Sequence, residues 1–178
     1  MPTINEIINK GFDLHQSGKL NEAEAAYKEA LSMDTNNAEV YNLMGVLKLQ
    51  QNDIKNAIGW VERAILIKPC EYFYETLFQA YIRGEFYERI IACEQQIIRD
   101  YPKNFSLLFN IALAYKNLKN NQKAIEFYEK ALKIDSSSYQ AWFNLAHIYE
   151  IEGLGKKSVS AMEKCNKDLA KLKQQRLS

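Results

Sequence analysis

Ala124-Ile125-Glu126-Phe127-Tyr128-Glu129-Lys130-Ala131-Leu132-Lys133-Ile134-Asp135 decides how the rest of the 178-residue chain is read. Ala124, Ile125, Tyr128, Ala131, Leu132 and Ile134 recur at three-and-four spacing, which places them on one face of a helix. Glu126 and Lys130 stand four apart on the opposite face, in the order that favours an ion pair. Two alanines on a buried face let a neighbouring helix backbone come close, and Tyr128 between them fills the space beside it. Ser136-Ser137-Ser138 then ends the helix and offers a cap to the next one.

The same pattern recurs. Ala23-Tyr27-Ala30-Leu31 and Ala57-Val61-Ala64-Ile65 repeat the spacing 34 residues apart, from 23 to 57. Ahead of them Gly11 recurs as Gly45, and Tyr81 recurs as Tyr115 and Tyr149 at the same step. These residues resemble the tetratricopeptide repeat family, whose pattern runs from an aromatic, Leu-Gly and Tyr in a first helix to Ala, an aromatic, Ala and Pro in a second. The resemblance covers nearly the whole chain. It implies an all-α, right-handed superhelical solenoid of five helix-turn-helix pairs, a single domain over 1–178. The expected repeats are about 4–37, 38–70, 71–104, 105–138 and 139–166, with a helical extension over 167–178.

Composition narrows the function classes. With 47% apolar residues, seven glycines and three prolines the chain is a folding sequence. A net charge of +1 gives no basic face of the kind nucleic acid requires. Cys70, Cys93 and Cys165 are far apart and in no CxxC, so they are expected as reduced, mostly buried thiols. The N-terminus lacks a signal-peptide pattern and no apolar run reaches the length of a membrane span. A cytoplasmic protein without membrane insertion is the expectation.

Individual repeats carry their own signals. In the first, Ile7, Gly11 and Leu14 lead to a stop at Ser17-Gly18, and Asn21 is the expected cap of the second helix. The second turns at Asn52-Asp53 and closes at Lys68-Pro69. The third departs from the pattern: Ile90 and Ile97 take the small positions, Glu94 the aromatic one and Phe78 the glycine one. A bulky pair there should spread its helices or shift their register. The last helix is expected to run unbroken from Gly155 to about Gln174, with Val159, Met162, Leu169 and Leu172 inside and a basic outer face reaching Arg176.

Catalytic constellations are absent from the pattern, and no enzyme, cofactor or metal site is expected. Gly153-Leu154-Gly155-Lys156-Lys157-Ser158 lacks phosphate-loop spacing and sits at an interhelix turn. His15 and His147 have no second ligand one helical turn away. Asn104-Phe105-Ser106 is a three-residue glycosylation match of the kind that arises by chance.

The resemblance implies binding instead, because the first helices of such repeats line a concave groove. Carried over residue by residue, that surface offers Asn9 and Phe12, then Asn42, Val46 and Leu49, then Gln79. The fourth repeat adds Phe109, Asn110, Leu113 and Lys116, and the fifth adds Phe143, Asn144 and His147. The family's clamp for an acidic chaperone tail does not carry over, since Ile8, Phe12 and Leu43 stand at its polar positions. Asn9, Asn110 and Asn144 share one position, half of the asparagine ladder found ahead of protein O-linked N-acetylglucosamine transferases. The expectation is a scaffold that binds a peptide or helix of a partner protein. The alternatives are the recognition arm of a larger glycosyltransferase-like enzyme, or a client-holding chaperone; self-association is left open.

Overall fold

The computed structural model describes residues 2–175; Arg176 and the end of the expected C-terminal extension lie outside them. The described residues form eleven α-helices and no strand. They group into two compact units, the first ending at Glu85 and the second beginning at Phe86.

The first unit holds α1 (Ile4–Gln16), α2 (Leu20–Met33), α3 (Ala38–Gln50), α4 (Ile54–Ile67) and α5 (Glu71–Arg83). Each packs on the next, and α5 also reaches α3. Ala23, Tyr27, Ala30, Ala57, Val61 and Ala64 are all fully buried, as the small–large–small spacing requires. Gly11 is needed for the approach of α1 to α2: a Cβ there would lie 2.7 Å from the Tyr27 ring. At Gly45 a Cβ would run into the Val61 side chain. Helix starts are set by local chemistry. Thr3 and Glu6 form a reciprocal capping box at α1, and the side chains of Asn37 and Asp53 accept from Val40 and Asn56 N–H at α3 and α4. Asn21 does not cap α2. The N-cap is Lys19, without a side-chain bond, two residues earlier than the cap preference implied.

The second unit holds α6 (Tyr87–Ala92), α7 (Glu94–Asp100), α8 (Phe105–Asn117), α9 (Asn121–Ile134), α10 (Tyr139–Ile151) and α11 (Gly155–Gln175). Ala124, Tyr128 and Ala131 of α9 are fully buried. Phe127 is buried as well, stacked 5.8 Å from Tyr115, while Ile134 is exposed at the end of the last turn; the enclosed face is wider and earlier than the spacing alone gave. Asn104, Asn120 and Ser138 cap α8, α9 and α10, so the glycosylation match is occupied by a capping bond to Leu107 N–H. The departure expected in the third repeat appears as a break. Ile90 and Ile97 are fully buried, and the helix stops at Cys93, whose N–H bonds back to Ile90 O, before α7 resumes.

α11 is continuous and 21 residues long, but its inner side differs from expectation. Ala161 and Cys165 are its buried residues, and Val159 is 61% exposed because it lies about 120° around the helix from Cys165. The cysteines are all free; Cys165 is buried, while Cys70 and Cys93 are only partly so. No helix among the described residues is long and apolar enough to cross a membrane.

Candidate binding surface

The first helices of the repeats carry the expected groove residues, and each unit presents its own set. In the first unit Asn9 is exposed, Phe12 is 46% exposed, Val46 is half-buried and Gln79 is exposed. Asn42 and Leu49 are buried rather than open on a groove, because α5 lies against α3, and Asn42 borders the pocket between those two helices. The Leu49 carbonyl is taken by Arg83, whose Nη1 donates to it at 2.8 Å. A cavity of about 460 Å³ lies along α1 and the following turn, with Asn9 and Asp13 in its wall.

In the second unit, α8 contributes Phe109, Asn110, Leu113 and Lys116, all half-buried. The Phe109 ring is committed to the interior: it meets Tyr128 edge-on at 5.4 Å and stacks on Phe105 at 5.8 Å. Lys116 crosses to α10, its Nζ donating to Asn144 Oδ1 at 2.6 Å. Asn144 Nδ2 donates in turn to the Gln140 carbonyl at 3.0 Å. The amide of Asn144 is therefore oriented by the protein itself, with one lone pair of Oδ1 left over. Lys116 makes no ion pair among the described residues, and burial lowers its ammonium pKa below the ordinary lysine value. His147, one turn further along α10, is exposed.

Phe143 stands out by being left open. It is 53% exposed on α10 and borders a cavity of about 430 Å³ between α10 and α11, walled chiefly by Tyr139, Met162 and Leu169. Sequence reasoning placed Phe143 but missed this neighbouring hollow. The available signal was the fifth repeat's small–large–small set, where Met162 replaces the bulkier Tyr128 of the fourth.

Tyrosine–carboxylate bonds hold successive repeats in register within each unit. Tyr81 donates to Glu62 at 2.8 Å and Tyr149 to Glu129 at 2.7 Å. Tyr115 donates to Glu94, which explains how a carboxylate is kept at the aromatic position of the third repeat. Burial, then the Glu94 carboxylate, pushes the Tyr115 hydroxyl up to about 12.

Tetratricopeptide repeat models match residues 38–69, 105–138 and 127–170, and a TPR repeat model matches 11–52. The chain belongs to the tetratricopeptide repeat family. Among solved structures, this TPR chain is similar to MamA, with a TM-score of 0.84 and 23% identity over 92% of this chain and 96% of that one. YrrB, described as a TPR protein with an unusual peptide-binding site, gives a TM-score of 0.76 and 18% identity over 93% and 86%. These are likenesses of fold, an all-α TPR solenoid. In sequence, the chain is 22% identical over 131 residues to anaphase-promoting complex subunit 6 of Arabidopsis thaliana, covering 74% of this chain and 19% of that protein. It is 29% identical over 86 residues to anaphase-promoting complex subunit CDC16 of Saccharomyces cerevisiae, covering 46% and 10%. The chain thus spans about a fifth and a tenth of the length of these two relatives.

Proposed function

We propose that this TPR protein is a non-enzymatic interaction scaffold, and that the α8–α10 face of its second unit takes a segment of a partner protein. The observation that carries this reading is Phe143, a large ring left 53% exposed beside polar groups already held in place. The half-buried Leu113 extends the apolar strip along α8. Lys116, Asn110 and the remaining lone pair of Asn144 supply register to a partner backbone or carboxylate. Affinity then comes from apolar area and selectivity from hydrogen bonds. The kinship in sequence to subunits of a multiprotein complex and the fold likeness to a peptide-binding TPR protein support a partner that is protein or peptide.

The test uses the full chain as bait in a lysate of its native host, followed by calorimetric titration of the recovered protein. Phe143→Ala should weaken binding by about 2–4 kcal/mol, since anchors near an interface centre dominate its energy. The melting temperature should barely move, because the ring is already half in water. Phe109 is a poorer probe, its ring being part of the core. Equal affinity of the Phe143→Ala variant and the parent would overturn the assignment of this face.

A further inference from the structure

We infer that a pocket in the first unit, between the N-terminal parts of α3 and α5, is a binding site for an alkylammonium group such as a partner's lysine side chain. It goes beyond the reading above and stands on different residues. The cavity measures about 320 Å³, room for an extended four-carbon stem, and Leu43 and Phe73 form much of its wall.

Asn42 is the telling member of that wall. It is 1% exposed, and its Oδ1 has no hydrogen-bond partner. Buried amides in folded proteins are almost always paired, so an unpaired one calls for an explanation. The repeat does not demand an amide here: Ile8, Phe109 and Phe143 stand at the same place in other repeats. An apolar residue would fill the site better and leave nothing unpaired. What the asparagine adds is an acceptor at a pocket that is otherwise largely apolar.

The surroundings specify the charge of the donor. Glu39 lies one helical turn before Asn42 on α3, borders the same pocket and makes no ion pair among the described residues. Tyr72 is 53% exposed and also borders the pocket, and aromatic rings attract cations. An acceptor, a carboxylate and an aromatic ring around an apolar channel fit a cation on a hydrocarbon stem, with N–H groups for Asn42 and positive charge for Glu39. Lys68 also borders the pocket and opposes the cation, so it sets a ceiling on affinity that its removal lifts.

The test is a titration of the isotope-labelled full chain with n-butylammonium chloride, followed by nuclear magnetic resonance against sodium chloride at equal ionic strength. Saturable shifts are expected at the Asn42 side-chain amide and at backbone amides around Glu39 and Tyr72. Glu39→Gln should weaken binding at least fivefold, and Lys68→Gln should tighten it. Asn42→Leu should abolish the saturable shifts and raise the melting temperature, as replacement of an unpaired buried amide by a filling side chain should. The proposal is overturned if the shifts are scattered and never saturate, which means a pocket holding water alone. It is equally overturned if butyrate or n-butanol binds as tightly as n-butylammonium, or if both Glu39→Gln and Asn42→Leu bind like the parent.

Discussion

Ala124 has no exposed surface, and its helix is packed by α8 on one side and α10 on another. Ala124→Leu adds three carbons where the backbones are already close, so it should cost about 1–3 kcal/mol in denaturant unfolding. An unchanged unfolding midpoint would mean that the crossing sits elsewhere on α9. Charge gives a second residue-scale test. The Glu24 carboxylate is bound by Lys28 at 2.8 Å and by Lys48 of α3 at 2.7 Å. Hydrogen bonds from Lys28, then Lys48, hold its pKa down to about 2, against an ordinary 4.5. The unfolded chain therefore takes up this proton near pH 4.5 and the folded chain only near pH 2. The bridge's contribution is whole above the first value and is lost as pH falls towards the second. Glu24→Gln should cost about 1 kcal/mol at neutral pH. Its difference from the parent should close as pH drops through that window, and a difference independent of pH would refute the charge assignment.

At the scale of elements, the turns explain why so much of the fold was legible. The left-handed positions fall at Gly18, Asn52, Glu85, Lys119 and Gly153, once per repeat. At Gly18, Asn52, Lys119 and Gly153 the chain closes with paired bonds, for example Gly153 N–H to Glu150 O and Leu154 N–H to Tyr149 O, which satisfy the last carbonyls of the helix. Period, small–large–small spacing and cap residues are local signals, and they sufficed for helix order. Three things were not local. Asn42 and Leu49 are buried because α5 lies on α3, a fact of packing that no residue of α3 encodes. Phe127 is buried because Tyr115 of another helix stacks on it. The stop at Cys93 joins bulky Ile90 and Ile97 to a carboxylate that must reach Tyr115. This last point carries a prediction. α6 and α7 are six and seven residues long, too short to hold their ends without packing, whereas α9 has fourteen residues and a side-chain cap. Amides of α6 and α7 should exchange with solvent sooner than those of α9. Equal or slower exchange would show that Ile90 and Ile97 anchor the broken helix as firmly as the alanine pair anchors the regular one.

At the largest scale, what matters is how the apolar faces of the helix pairs are covered. Interior helix pairs hide their stacking residues under the next pair, and a terminal pair needs a polar outer side to remain dispersed. In the second unit α11 is the longest helix, 21 residues against 13 or 14 in α8, α9 and α10. Its lysines outnumber Glu163 and Asp168, and Lys171 pairs with Asp168 at 3.3 Å. Beneath that surface, Leu169 shares a cavity with Tyr139 and Phe143, and Leu172 shares another with Phe105 and Tyr139. The last turns of α11 thus shield the start of α10 and of α8 while adding charge. Truncation after Asn166 removes both leucines and Lys167, Lys171 and Lys173 together. The exposed apolar patch around Phe143, already open in the full chain, should then enlarge into one that drives association. Sedimentation at increasing concentration should show a larger mass for the truncated chain than for the full one, with a lower melting temperature. The variant Leu169→Ser with Leu172→Ser keeps the lysines and should reproduce the effect in part, since apolar cover is lost while charge is kept. If the truncated chain sediments and melts like the parent, the cover does not reside in the last turns of α11.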